Sequence, residues 1–298
     1  DNYEVMSLLT RAQVEAGQGG TMEIAFAAVG VRVRLALLQG DSPAARELLA
    51  SFEQSVKENR AVQLLPNIQA LRCRLALYEG DMDMVERWMK TAPDEDREFC
   101  SLERYRYLTK VRCYLANGAY TKAQALLEKL RYYAEQTGRP YVRMETGLLS
   151  AITKERVGGP WQEELATVLK EAERYRFLRL ITEEGAAVWP LFQREKKALQ
   201  EAGTLNKDWL RRLLAEAEEV ARRYPLYLKK RAAVAADFKG VALTILRLQA
   251  DGLSVNRIAQ RLDLKPDNVK YHIKENYRKL NVDNKTDALL AARSLGIL

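Results

Sequence analysis

Three basic side chains near the C-terminus have the type and spacing of a surface that contacts nucleic acid. Lys270, Lys274 and Arg278 lie four residues apart, with Tyr271 next to the first of them, so in a helix they share one face. Their N–H groups can donate to base edges in the major groove and to phosphate oxygens. A solvated basic face without a ligand is the alternative interpretation of such a stripe.

Two short amphipathic helices joined by a tight turn are predicted to position these side chains. In the second helix, an apolar stripe for packing lies apart from the basic face and comprises Val269, Ile273, Tyr277 and Leu280. Ser254 can cap the first helix. One further helix on each side completes a four-helix module, and Asp283 or Asn284 can cap the last helix.

The segment from Gly252 to Val282 resembles the LuxR/NarL-type helix-turn-helix. The matching pattern is G-L-S at 252–254, I-A at 258–259, V-K-x-H at 269–272 and K-L-x-V at 279–282. The resemblance covers residues 238–298 and implies a domain that binds double-stranded DNA. Because one recognition helix reads few base pairs, we expect a homodimer on a two-part site.

The resemblance assigns roles to individual side chains. It implies DNA base contacts by Lys270, Tyr271 and Lys274. It implies DNA backbone contacts by Ser254, Asn256, Arg257, Lys265, Asn268 and Arg278. The sequence departs from the family where Val241 and Ala242 replace an Arg and a Glu, so a polar anchor of the first helix is absent.

Positive charge is concentrated at this end of the chain. Residues 222–298 contain 16 Lys and Arg against 7 Asp and Glu, a net charge of +9, whereas the whole chain has +8. DNA affinity that rests on this charge should fall as salt rises. A membrane surface could attract the same charge, but the sequence has no long apolar run and no signal peptide, so we expect no membrane partner.

The first 221 residues repeat at intervals of about forty residues. The pattern R-L-A-L-x-x-G-D occurs at 34–41 and 74–81, and weaker copies place glycine at 118 and 158. A helix, a glycine turn and a second helix, repeated in this way, are typical of an α-solenoid. The predicted pairs are 22–39 with 41–58, 61–79 with 81–91, 99–117 with 119–137, and 139–157 with 161–175. Asp41 and Asp81 are placed to cap second helices.

The repeats resemble the longer tetratricopeptide (TPR) type of MalT-like regulators, most clearly in the segments LLEKLRYYAEQTGRPYVRMETGLLSAITKERVG and EAERYRFLRLITEEGAAVWPLF. We therefore expect an all-α chain, a TPR-like α-solenoid followed by a small four-helix LuxR-type helix-turn-helix domain. The expected bounds are 1–221 for the repeats, 222–238 for a basic linker and 239–298 for the DNA-binding domain.

Large MalT-like regulators carry an ATPase ahead of the repeats, which suggests that this sequence is the C-terminal part of a longer protein. No G-x-x-x-x-G-K-[ST] phosphate loop occurs in it. We expect no cofactor in this chain, and ATP could act only through a domain outside it.

Stacked repeats form a concave groove, in which a small-molecule or protein effector could bind. The candidate groove residues are Arg72, Tyr105, Arg112, Tyr141 and Arg143, whose types suit a carboxylate, a sugar or a peptide. The alternative is that these tyrosines pack in the core and these arginines lie on the surface. The acidic pairs at 163–164, 183–184 and 218–219 are interpreted as solvated helix surface.

No set of residues indicates an enzyme or a metal centre. Cys73, Cys100 and Cys113 lack C-x-x-C spacing, and His272 is the only histidine. Unpaired thiols fit the reducing cytoplasm, and a bacterial, nucleoid-associated protein is expected. The leading hypothesis is a sequence-specific transcription regulator whose repeats sense a ligand or protein partner and gate the DNA-binding domain. The alternative is a TPR-type interaction scaffold with weak or vestigial DNA binding.

Overall fold

A computed structural model describes residues 11, 21–96, 103–229, 238, 240–280, 282–294 and 297–298. These residues form α-helices and one short 3-10 helix, and they contain no strand. The expected all-α class is confirmed. Cys100 and most of the predicted linker, residues 230–237, lie outside the described residues.

The first eight helices of the described residues form four successive pairs. These pairs are α1 (Met22–Gln39) with α2 (Ser42–Glu58), α3 (Leu65–Glu79) with α4 (Met82–Met89), α5 (Arg104–Ala116) with α6 (Tyr120–Gln136), and α7 (Pro140–Val157) with α8 (Gln162–Tyr175). A 3-10 turn at Val62–Leu64 precedes α3. The predicted helix pairs are confirmed at nearly the predicted bounds.

A left-handed glycine ends each of α1 and α3, and a capping aspartate begins the helix that follows. Gly40 and Gly80 have φ angles of 86° and 75°, in the left-handed region that favours glycine. The next residue in each copy is an aspartate that caps the following helix. Asp41 accepts a hydrogen bond from the N–H of Ala44, and Asp81 accepts one from the N–H of residue 84, each at 3.0 Å. Both predicted caps are confirmed.

Three more helices and a short segment after them complete the repeat region, which we define as residues 21–229. The helices are α9 (Leu178–Thr182), α10 (Gly185–Glu201) and α11 (Lys207–Arg223). After α11, Tyr224, Tyr227 and Leu228 join the apolar core of the repeats. The ring of Tyr227 stacks on that of Tyr78, with centroids 4.3 Å apart. Packed residues therefore continue past 221, since the rings of Tyr224 and Tyr227 both contact Tyr78 of α3.

The C-terminal module, residues 238–298, consists of α12 (Gly240–Ala250), α13 (Val255–Leu262), α14 (Pro266–Leu280) and α15 (Lys285–Ser294). It has two apolar clusters of its own, one around Leu246 and Leu280 and the other around Ile258 and Val269. Helix α15 also contacts α6 and α7 of the repeat region. None of the described helices combines the length and the apolar character that crossing a membrane requires.

Candidate nucleic-acid interface and repeat groove

Helices α13 and α14 are joined by a short turn around Asp263. This residue has a left-handed φ of 52°, and its N–H donates to the carbonyl oxygen of Ala259. Helix α14 then begins at Pro266, where a missing N–H costs no helical hydrogen bond. Ser254 occupies the cap position of α13, but its side chain makes no capping hydrogen bond. Its exposed hydroxyl is therefore available to another partner.

Helix α14 has one buried face and one exposed face. Val269 and Leu280 are buried in the module, and Ile273 and Tyr277 pack against its clusters. The predicted apolar stripe is confirmed. On the other side, the side chains of the predicted base-contacting residues are exposed; we call Lys270, Tyr271 and Lys274 the recognition face. Tyr271 is 63% exposed, a large value for an aromatic side chain.

The residues predicted to contact the DNA backbone surround this face on α13, the turn and α14. All six are exposed, namely Ser254, Asn256, Arg257, Lys265, Asn268 and Arg278. Arg278 pairs with Glu275 at 2.9 Å, and Lys270 pairs with Asp267 at 3.0 Å. Both pairs lie on the surface, where such contacts contribute little and are readily exchanged for a phosphate.

Asn276 anchors the first helix of the module where the family's Arg–Glu pair is missing. Its side-chain amide donates to the carbonyl oxygen of Ala242 at 2.9 Å, and the residue is fully buried. In a second hydrogen bond, the side-chain amide of Gln249 donates to the hydroxyl of Tyr277 at 3.1 Å. The sequence pattern did not indicate these contacts, because an Asn or Gln within a helix carries no sign of its partner. They add to the apolar packing of α12, whose Ile245, Leu246 and Leu248 are buried although Val241 is exposed.

The histidine and the described cysteines show no arrangement for catalysis or metal binding. His272 lies beside Tyr271, with ring centroids 5.7 Å apart. Cys73 and Cys113 are buried, with their sulfur atoms 3.5 Å apart, and burial raises the pKa of the Cys113 thiol. Within the described ranges, no cluster of His, Cys, Asp or Glu could hold a metal ion.

The arginine that recurs in the first three repeats points to an acidic pair at the far end of the repeat region. Arg34 contacts Glu183 at 2.8 Å, and Arg112 contacts Glu184 at 2.5 Å. Arg74 lies 3.2 Å from Glu184 and 3.5 Å from Glu183. With Glu145, which pairs with Arg112 at 2.7 Å, these side chains form the Arg–Glu cluster: Arg34, Arg74, Arg112, Glu145, Glu183 and Glu184. Three positive charges face three negative ones.

Burial makes the charges of this cluster interdependent. The side chains of Arg112 and Glu184 are each 1% exposed. Burial alone would raise the pKa of Glu184, but Arg112 and Arg74 hold that pKa below its ordinary value. Burial raises the pKa of the Tyr227 hydroxyl well above its ordinary value, so this hydroxyl stays protonated and donates to Glu184 at 2.7 Å. A second tyrosine, Tyr78, donates to the backbone oxygen of Glu183 at 2.6 Å.

The acidic pair at 183–184 was interpreted from the sequence as solvated helix surface, and this interpretation is wrong. Glu183 and Glu184 are 4% and 1% exposed. They follow α9 and lie among the first helices of three repeats, where the recurring arginines compensate their charge. A buried carboxylate is tolerated only with such partners.

The expected groove residues lie in different surroundings. Arg112 and Tyr141 belong to the interior network, since Tyr141 accepts a hydrogen bond from Arg34 at 2.7 Å. Arg72 pairs with Glu53 at 2.6 Å, and Arg143 pairs with Glu171 on the surface. The hydroxyl of Tyr105 is buried without a hydrogen-bond partner.

The C-terminal module rests on the repeat region through α15 and the residues before it. Leu290 and Ala291 lie next to the turn that begins α6, at Gly118 and Thr121. Lys122 of α6 pairs with Asp283 at 2.9 Å across this contact, and both side chains are largely exposed. The recognition face lies outside this contact and stays exposed in the described arrangement.

Comparisons with known proteins agree with both parts of this architecture. The profile of the MalT-like TPR region matches residues 9–198, and the profile of bacterial regulatory proteins of the luxR family matches residues 243–292. The HTH-type transcriptional regulator MalT of Vibrio campbellii is 24% identical over 234 residues, which cover 72% of this chain and 26% of that protein. The chain thus spans about a quarter of that relative's length. No solved structure gives a significant match. The chain belongs to the family of proteins with a MalT-like TPR region, and its C-terminal module matches the luxR family of bacterial regulatory proteins.

Proposed function

We propose that this chain is a sequence-specific DNA-binding transcription regulator. The observation that carries the proposal is the division of α14 into a buried apolar stripe and an exposed recognition face of Lys270, Tyr271 and Lys274. Lysine can donate to guanine O6 and N7, and tyrosine can lie against a thymine methyl group or bond a phosphate. The relative from Vibrio campbellii is named as an HTH-type transcriptional regulator. A homodimer on a two-part site belongs to the proposal, because one such helix reads few base pairs.

We also propose that the repeat region binds a small-molecule or protein effector and gates the C-terminal module. Two features support a physical connection. Helix α15 rests on α6 and α7, and the chain leaves the repeats through Tyr227, which hydrogen-bonds to the Arg–Glu cluster. An effector that changes the packing of the repeats would change both contacts. It would thereby shift the equilibrium between a C-terminal module that rests on α6 and α7 and one that is released from them.

Selection of bound sequences from a random DNA pool tests the DNA-binding proposal. With the full chain, we expect one enriched sequence with two half-sites. Lys270→Ala should relax the preference at one base position, by about 1–3 kcal/mol. Lys285→Ala is the matched control, since it removes an equal charge from the exposed start of α15. An unenriched pool would overturn the proposal and favour the interaction scaffold.

Charge reversal at the contact between the two parts tests the gate. Lys122→Glu replaces an attraction to Asp283 by a repulsion and should release the module. We expect affinity for the selected DNA to rise about two- to fivefold, the scale of one exposed ion pair. Lys207→Glu, at the exposed start of α11, makes the same change in charge away from the contact. Equal affinities of the two variants would contradict gating through this contact.

A further inference from the structure

A cavity of about 900 Å³ lies where the first described helix meets the last helix of the repeat region. Helix α1 forms one wall and α11 forms the other, while the residues around α9 and Tyr141 of α7 form the floor. We call it the seam cavity. Its volume is within the range of ligand-binding clefts. No residue of the recognition face or of the contact around α15 lines it.

The seam cavity combines apolar walls with an excess of arginine. Leu35, Leu38 and Val220 line its sides, and the rings of Tyr141 and Phe177 meet edge to face at 5.5 Å on its floor. Five arginines but only three glutamates line it, namely Arg34, Arg176, Arg179, Arg212 and Arg223 against Glu183, Glu216 and Glu219. The lining therefore has a formal net charge of +2.

Two of the arginines remain open to a ligand. Arg34 is held by Glu183, and Arg223 is held by Glu219 and by the backbone oxygen of Leu38. By contrast, Arg212 approaches Glu216 only to 3.8 Å and its side chain is 72% exposed. Arg176 is exposed and makes no ion pair among the described residues.

We infer that the seam cavity binds an organic anion that carries an apolar or aromatic part. A carboxylate, phosphate or sulfonate group would contact Arg176 and Arg212, since guanidinium groups bind such oxyanions in a bidentate manner. The apolar part would lie between Leu35, Leu38 and Phe177. This inference rests on the proposed function in one respect, because the seam cavity is offered as the binding site of the proposed effector and its arginines set the charge of that effector.

A ligand in this cavity would lie against the contact between α1 and the end of α11, from which the chain continues to the C-terminal module. At the end of α11, Arg223 donates to the backbone oxygen of Leu38, and Tyr224 donates to that of Leu37 at 2.6 Å. Tyr227, three residues further, donates to Glu184. A change in the distance between α1 and α11 would therefore alter the contacts of residues 223–227, which lead from the repeats towards the C-terminal module.

A fluorescent organic anion tests the site in the full chain. The probe is 8-anilinonaphthalene-1-sulfonate, and its uncharged counterpart is N-phenyl-1-naphthylamine, which has the same ring system without the sulfonate. We expect one sulfonate probe per chain, bound about tenfold more tightly than the uncharged one. The double variant Arg176→Asn/Arg212→Gln should weaken sulfonate binding about tenfold or more. Asn suits the left-handed backbone at 176, where φ is 58°.

Arg211→Gln is the matched control, because Arg211 is the exposed neighbour of Arg212 on α11 and does not line the cavity. It should change sulfonate affinity less than twofold, and neither change should alter the binding of the uncharged probe. Equal sulfonate affinities of the double variant and the control would overturn the inference. DNA binding is measured separately. If sulfonate affinity does not depend on Arg176 and Arg212 but the chain still selects a DNA sequence, the result refutes this site alone. If sulfonate affinity depends on these arginines but the chain selects no DNA sequence, the result refutes the proposed function and leaves the site supported.

Discussion

Basic side chains lie in opposite environments in the two parts of the chain. In the repeat region, the side chains of Arg74 and Arg112 are 3% and 1% exposed and are paired with buried carboxylates. In the C-terminal module, Lys274 and Arg278 are exposed on the surface of α14. The Arg–Glu cluster of the repeat region keeps its arginine charge inside and neutralised, whereas α14 of the module presents its charge to the solvent. The same residue types thus stabilise a fold in one part and are available to a polyanion in the other.

Removing a charge from the interior of the repeat region should lower the free energy of unfolding, and this is the largest effect on stability that we expect. Glu184→Gln leaves Arg74 and Arg112 buried with one carboxylate fewer. We expect the free energy of unfolding to fall by about 3–5 kcal/mol, measured by urea denaturation of the full chain. Glu219→Gln is the matched control, because Glu219 pairs with Arg223 at an exposed position, and it should cost less than about 0.5 kcal/mol. Similar losses in the two variants would contradict a structural role of the cluster.

Acid should destabilise the repeat region through the same carboxylate. Since the folded-state pKa of Glu184 lies below its ordinary value of 4.5, its charge stabilises the fold fully above that pH. This contribution is lost as the pH falls through the lower folded-state value. We expect the free energy of unfolding of the wild type to fall as the pH decreases below the ordinary Glu value of 4.5. Glu184→Gln should show a shallower fall over that range, and parallel curves would refute this assignment.

Removing a charge from the surface of the module should have a smaller effect, and on DNA affinity rather than stability. Arg278→Gln removes a predicted phosphate contact from an exposed position. We expect weaker binding to all sequences and a salt dependence reduced by about one unit in slope. The free energy of unfolding should change by less than about 0.5 kcal/mol. A loss confined to one base position would instead make Arg278 a base-reading residue.

The elements with local signals were predictable from the sequence. Gly40 with Asp41 and Gly80 with Asp81 mark helix ends, because a left-handed backbone and a capping carboxylate act within a few residues. The apolar stripe of α14 was predictable for the same reason, since its spacing alone decides which side packs. The exposure of the recognition face follows from that packing.

The contacts between distant parts of the chain were not predictable in this way. Glu184 looks like any surface acid, and its partner Arg112 is 72 residues away in the sequence. Nor did the pattern reveal that Tyr227 folds back onto Tyr78, or that Asn276 supplies the anchor of α12. Each of these contacts depends on which helices meet, and helix spacing alone does not specify that.

The most direct test of the contrast is the preference of the full chain for its selected DNA over a random duplex of equal length. The ratio of the two affinities is measured by competition for the wild type and for Lys270→Ala/Lys274→Ala. We expect the ratio to fall by about a hundredfold or more, as two base contacts are lost, while the free energy of unfolding changes by less than about 0.5 kcal/mol. An unchanged ratio would show that the exposed charge of α14 does not read sequence and would contradict the proposed function.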